Sequence, residues 1–391
     1  MNEVPMTDAA TRSVSLPEDS AVPSFTFRVA RSLAEIADLW PRTDSSSSAH
    51  CYAFQCADLL EVWCDTIGRA RQTKTFFVGV FDASGQPVLL LPLGIERHRG
   101  MRILRFLDGG VSDYNAPILF RSMPAWEGET LERFWKGLKT ALPTFDLAEF
   151  EKMPADICGV PNPIIGLAKG RYDRSGHVVT ITTSWEEYAA KRLPYKRETS
   201  AQRRRLAKLG SLTFSIAETA ADRQRILEAM MRQKSQRYIE TWGVDGLDRP
   251  GYRQYYISLV ERFAWPGPLL ISALEVNGTI LSTNWGLFCK GRFIGIVMSF
   301  EGGEWRRFSA GRLLLEDLLK WNFENHTSVF DFGIGDESYK TTYTDRSIEL
   351  HQARIPVTTI GKAYEFGKDT RAWRYFREIT RWLARSFARK S

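Results

Sequence analysis

Residues 308–321 read FSAGRLLLEDLLKW, a short polar and glycine entry into a strongly apolar helix. Ser309 stands where a cap belongs, which makes Ala310, Gly311 and Arg312 the first helical residues. A helix start leaves backbone N–H groups unpaired and carries partial positive charge, so Asp or Glu belongs there. Arg312 opposes that dipole by ~0.3–1 kcal/mol. Gly311 is a poor helix former, by ~1 kcal/mol relative to Ala. Both residues make sense if an anion docks on the turn. Gly311 lets a phosphate approach the N–H groups, and Arg312 adds charge-assisted hydrogen bonds. The competing reading is a plain serine cap with Arg312 turned to solvent, because a lone SxGR is a weak motif.

Context shifts the weight toward the anion site. RFIGIVMSF (292–300) before the helix and SVFDFGIG (328–335) after it both read as strands. The unit is a candidate crossover joining parallel strands. Further upstream, LLISALEVNG and TILSTNWGLFCKG form a hairpin around Asn277-Gly278, a strong type I′ turn signal. The first half repeats this order: the hairpin KTFFVGVFDASG–QPVLLLPLGIERH, the strand MRILRFLDGG, helical spacing over 123–142 and the strand FDLAEFEKM. Two copies of one mixed α/β unit are expected, with little sequence identity between them. ADLLEVWCDTIG (57–68) reads as a helix ending on a glycine C-cap at Gly68. SWEEYAAKRLPYKRETSAQRRRLAKLG (184–210) reads as helical on both sides of Pro194, with Ser184 and Glu187 in capping-box spacing.

The chain has 391 residues, 43% hydrophobic and 25% charged, which is ordinary for a globular protein. No apolar run approaches the ~18–20 residues that span a bilayer. Residues 1–24 hold acidic residues and prolines but no apolar core, so they read as a disordered leader rather than a secretory signal, and a cytoplasmic location is expected. The five cysteines form no CxxC pair and the five histidines are scattered without an HxxxH or Ser/His/Asp pattern. Reduced thiols, no metal and no hydrolytic triad are the expectation.

The net charge of +7 is uneven. Residues 191–208 hold eight Lys or Arg against one Glu, and 362–391 hold nine against three acids. Two basic segments on a mildly acidic body point to specific anionic contacts. On the first, Arg197, Arg203 and Arg204 continue basic rows along a helix face and are candidates for holding an anionic acceptor; a solvated face is the alternative. Aromatic interleaving is absent, so nucleic acid is not the expected partner. The second segment reads as a basic amphipathic helix that either packs on the protein or lies on an anionic membrane surface.

GDESYK (335–340) places Asp336, Tyr339 and Lys340 where a strand end opens into a loop, the place where α/β sheets bind ligands. Acylation of an amine or hydroxyl needs a base for the nucleophile and an acid for the departing thiolate, and a carboxylate and a phenol can fill those roles. VSDYN (111–115) follows a Gly-Gly break. Asp113 can orient or deprotonate an acceptor there and Tyr114 can stack on a sugar, although an Asx turn explains the same residues.

FQCADLLEVW (54–63), FLDGGVSDYNAPIL (106–119), RRRLAKLG (203–210), and SAGRLLLEDLLKW with VFDFGIGDESYK (309–340) together resemble the CelD/BcsL family of GNAT-type acyltransferases, relatives of the tandem-GNAT Fem transferases. The resemblance covers roughly 27–358. It implies an α/β chain of two tandem GNAT-like domains, at 25–180 and 181–361, followed by a C-terminal helix at 362–391. It further implies acetyl-CoA or another acyl-CoA as donor, bound by the second domain at Arg307, Ser309, Ala310, Gly311 and Arg312. It favours catalytic roles for Asp331, Asp336, Tyr339 and Lys340, and sets the Asp113–Tyr114 loop at the cleft between the domains. The implied acceptor is an amine or hydroxyl, on a small molecule or a saccharide, with a link to cellulose or exopolysaccharide production. The usual GNAT pyrophosphate loop is longer and richer in glycine; here Arg306, Arg307 and the 309–312 turn keep part of it. Two alternatives stand beside this reading: Fem-like transfer from aminoacyl-tRNA, and a non-catalytic module docked on a polysaccharide synthesis machine.

Overall fold

Leu269–Val276, sequence LLISALEV, is buried at every position, as a strand covered on both faces must be. It lies second in a seven-stranded sheet whose order is Leu212–Ile216, Leu269–Val276, Thr279–Cys289, Arg292–Phe300, Val329–Ile334, Gly176–Thr180, Arg346–Ile348. The computed structural model describes residues 23–369 apart from 326. The first-half sheet follows the same plan: Thr26–Ala30, Lys74–Phe81, Pro87–His98, Met101–Phe106, Leu147–Pro154, Leu350–Pro356, Gly170–Arg171. The protein is thus a mixed α/β chain with two sheets of like design.

In each sheet four strands run as an antiparallel meander, and a crossover helix then leads to a parallel strand. The crossover helices are Gly128–Ala141 and Ala310–Glu324. The second packs against the three strands from Leu269 to Phe300. It buries Leu313, Leu314, Leu315, Leu318 and Leu319, at ~1.5–3 kcal/mol for each fully buried leucine. Its start is therefore held on a rigid mount. The expected hairpin at Asn277-Gly278 is present, with both residues at positive φ.

Beside each parallel strand lies a strand from the other half. Gly176–Thr180 pairs with Val329–Ile334 in the second sheet, and Leu350–Pro356 pairs with Leu147–Pro154 in the first. A division at 180/181 therefore leaves each sheet holding a strand from across the cut. One hydrophobic cluster runs through both halves, from Phe25 to Ala353.

Two local expectations are corrected. Gly68 does not end its helix: the chain widens through a π-type turn, Cys64–Gly68, and continues to Arg71, with Gln72 taking the left-handed cap. Gly68 is needed because a Cβ there would meet the Trp63 ring at 2.7 Å. The basic segment splits at Pro194 as expected, into Trp185–Lys191 and Lys196–Ala207, but Tyr195 at the junction is left-handed. Of the C-terminal helix the described part is Thr359–Asp369; the rest of 362–391 and residues 1–22 of the leader lie outside the described residues. Among the described residues no helix is long and apolar enough to cross a membrane.

Candidate active site

The parallel ladder between the strands Arg292–Phe300 and Val329–Ile334 is short: Arg292, Phe293 and Ile294 face Val329, Phe330 and Asp331, and no further pairs follow. Beyond Ile294 the two strands part. A cavity of ≈580 Å³ fills the opening. Gly295 to Phe300 form one wall; Phe330, Phe332 and Ile334 form another. The helix Ala220–Trp242 adds Gln233, Lys234 and Arg237, and the loop from the first half adds Asp113.

A second cavity of ≈450 Å³ adjoins it at the start of the crossover helix, lined by Arg306, Ser309, Ala310, Gly311 and Arg312. Both are bordered by Arg237, Met298, Phe300, Leu315 and Tyr339, so they form one trough. Ser309 sits at the N-cap position, but in the left-handed conformation and with no side-chain capping bond. Only its carbonyl serves the helix, accepting from Arg312 N at 2.9 Å. The predicted serine cap is thus corrected: the helix opens into the cavity without a side chain over its first N–H groups and with no acid in its first turn. Gly311 faces Phe300, to which a Cβ would approach within 3.2 Å. Arg312 lines the cavity and lies over the Tyr195 ring, 4.1 Å from its centroid. Arg307, a predicted donor contact, instead stacks on Phe308 and lines neither cavity; Arg306 does.

Asp113 is half-buried in the inner cavity and accepts a hydrogen bond from Ile334 N at 3.2 Å. Burial pushes its carboxyl up to about 7, with Lys152 and Lys340 pulling back. Tyr339 borders both cavities, and burial raises its phenol above its ordinary value, so it stays protonated. Lys340 is buried, donates to Ile334 O at 2.8 Å and pairs with Glu337 at 3.1 Å.

Other predicted residues have structural partners away from the trough. Asp331 is completely buried, paired with Arg292 at 2.6 Å and accepting from Gly333 N. Tyr114 is equally buried, stacked on Tyr52 and hydrogen-bonded to Asp331 at 2.9 Å, so it has no face free for a sugar. Asp336 lines neither cavity and accepts from His177 Nε2 at 3.0 Å and Ser175 N at 3.2 Å. Arg203 clamps Asp317 through two bonds, of 3.0 and 2.8 Å. Arg197 and Arg204 are exposed, and none of these three arginines lines the trough.

Sequence spacing also missed several groups. Lys234, Arg237 and Asn284 line the inner cavity, together with Glu337 of the GDESYK loop. Lys234 and Arg237 sit three apart on a helix, a spacing shared by any solvated face. Ser347, His177 and Asp336 do meet, with His177 Nδ1 3.1 Å from Ser347 Oγ, but as a cross-strand pair at a sheet edge and outside the cavities described. Cys51, Cys56 and Cys289 bring their buried sulfurs within 4.8 Å of one another, from both halves of the chain.

A splayed parallel pair, a crossover helix opening on the splay and a meander before it define the GNAT-type acyltransferase fold. The family described as acetyltransferase (GNAT) domain matches residues 195–341. A conserved protein of unknown function from Bacteroides thetaiotaomicron is similar at 12% identity, with a TM-score of 0.50 over 76% of this chain and 89% of that one. FemX is similar at 10% identity, with a TM-score of 0.51 over 78% of this chain and 93% of that one. These likenesses show the fold, and the agreement over both halves shows it as a tandem arrangement. No curated protein matches the chain.

Proposed function

We propose that the protein is an acyl-CoA-dependent N- or O-acyltransferase with acetyl-CoA or a related thioester as donor, working in the second-half trough. The observation that carries this is the continuity of the trough from the uncapped helix start at Ser309–Arg312 to Asp113 at the splay. The helix N–H groups and the guanidinium groups of Arg306 and Arg312, which line the outer cavity, suit a pyrophosphate. The first half offers no such place: its crossover helix begins Glu127-Gly128-Glu129, which repels an anion.

The edge of Gly295–Met298 facing the splay can receive the donor's amide chain and thioester carbonyl. Asp113 takes the proton of the attacking amine or hydroxyl as the new bond to the acyl carbon forms. Tyr339 gives its proton to sulfur as the carbon–sulfur bond breaks, and recovers one from solvent. Each such transfer is worth ~10²–10⁴-fold in rate. The reading of the acceptor as a sugar of an exopolysaccharide rests on the CelD/BcsL resemblance; the membrane contact of the tail rests on the basic amphipathic pattern of 362–391, and the cytoplasmic location on the composition of 1–24.

Calorimetric titration of acetyl-CoA and CoA into the protein, beside Arg312→Glu, tests the donor site. Micromolar binding lost in the variant supports it. Refusal by correctly folded wild type rejects it and turns the search to charged tRNA or to a docking role.

A further inference from the structure

We infer that the acceptor is an amine carrying an anionic group, with its nitrogen toward Asp113 and Asn284 and its anion at Lys234 and Arg237. This rests on the acyl-transfer reading of the same cavity.

Asn284 supplies the first observation. Its side chain is 4% exposed, lines the inner cavity, and its Oδ1 meets no donor. A buried acceptor left unsatisfied costs ~1–3 kcal/mol. The residue lines the cavity, and a ligand that brings an N–H or O–H to this oxygen removes that cost.

Lys234 supplies the second. Of the two cavities it lines the inner one only; its ammonium lies over the Tyr238 ring, 5.4 Å from the centroid, and has no carboxylate within ion-pair distance among the described residues. Glu337, whose charge acts on it, is engaged by Lys340 at 3.1 Å. Burial, with Arg237 and Lys340 adding repulsion, holds its ammonium below the ordinary lysine value. Of the three cations that line the cavity, Lys340 is paired with Glu337 at 3.1 Å and Arg237 with Glu240 at 3.8 Å, which leaves Lys234 as the one whose ammonium has no carboxylate partner among the described residues. A neutral acceptor leaves Lys234 with only the Tyr238 ring beneath it, and a simple ammonium ion adds repulsion. A carboxylate or phosphate supplies the missing partner. Lys234 and Arg237, three residues apart on one helix face, present two donors side by side to such a group. The amine end then fits the remaining acceptors, Asn284 Oδ1 and the Asp113 carboxylate, which removes the proton released when the nitrogen is acylated.

Two sources share this chemistry: the carboxylate of an amino acid and the phosphate of an amino sugar. The test uses matched pairs, glycine and L-lysine beside their methyl esters, and glucosamine 6-phosphate beside glucosamine. Acylated product is measured by mass spectrometry with acetyl-CoA, and binding is measured by calorimetry without donor. The expected result is a preference of about tenfold or more for one anionic member over its neutral counterpart. Lys234→Met should erase that preference by weakening the anionic member alone, and Lys234→Arg should retain it. Asn284→Leu should weaken both members while CoA affinity holds. Equal handling of the members, equal loss of both in Lys234→Met, or no binding of any pair overturns the inference. If acetyl-CoA itself is refused, the donor reading fails separately, and the donor-free binding still decides the acceptor subsite.

Discussion

Tyr114 donates a hydrogen bond of 2.9 Å to Asp331, 217 residues further along the chain. The bond joins the loop of one half to the parallel strand of the other, with both groups inaccessible to solvent. It fixes the loop that carries Asp113, one residue away, against the splay. Asp331 acts through this knot, together with Arg292, and not on a reacting atom.

Tyr114→Phe should therefore lower stability by about 1–2 kcal/mol, and Asp331→Ala by about 3–5 kcal/mol because Arg292 is left charged and alone. Thermal melting reads both. For Tyr114→Phe, assayed well below its melting point, CoA affinity should match wild type. A Tyr114→Phe protein of full stability would contradict the structural role.

Asp113 works as a base only when ionised, and its carboxyl is pushed up to about 7. The transfer rate at saturating donor should rise through pH 7 and level off above it. Asp113→Asn should cut kcat by ~10²–10⁴-fold with CoA affinity unchanged.

The same shift has a sign in stability. The folded carboxyl titrates higher than the unfolded one, so wild type loses stability as pH rises from about 4 through about 7. Asn carries no charge at either end. Asp113→Asn should be more stable than wild type at pH 8, on the order of 1 kcal/mol, with the gap closing toward pH 5. Chemical denaturation at the two pH values measures it.

Tyr339→Phe keeps the ring that borders both cavities and removes only the proton. We expect kcat to fall at least tenfold while the dissociation constant of CoA stays within about threefold. A drop in affinity with kcat intact would assign Tyr339 to binding.

Gly311→Leu should place a side chain in the trough against Phe300 and Met298, with 3.2 Å to the nearest ring carbon already at Cβ. Acetyl-CoA binding should be lost, while the melting temperature moves by only a few degrees, because a leucine suits a helix better than a glycine. Retained binding would show that the donor does not lie over this turn.

Much of the fold was legible because its signals are local. The Asn277-Gly278 turn, the buried run LLISALEV and the odd Arg312 at a helix start are each decided within a few residues. Pairing across the chain carries no such signal. Arg203 looked unpaired because its partner Asp317 lies 114 residues away. The exchanged strands are ordinary short strands whose destination depends on which sheet edge is open. At the site, Asp113, Tyr339 and the 309–312 turn were legible, since loops after strands and glycines at helix starts mark ligand positions. Lys234 and Asn284 were not, because a lysine on a helix and an asparagine in a strand acquire meaning only from the cavity they face.

The strand exchange also sets an order of events at the ribosome. The first-half sheet needs Leu350–Pro356 beside Leu147–Pro154, about 180 residues after the rest of it, which ends with Gly170–Arg171, has been made. At ~5–20 residues per second that is a wait of roughly 10–40 s. Through that interval the nascent chain presents an open strand edge with unpaired backbone groups, which is the kind of surface that pairs wrongly with other chains. Newly made protein should therefore depend on chaperone capacity more than its final stability suggests.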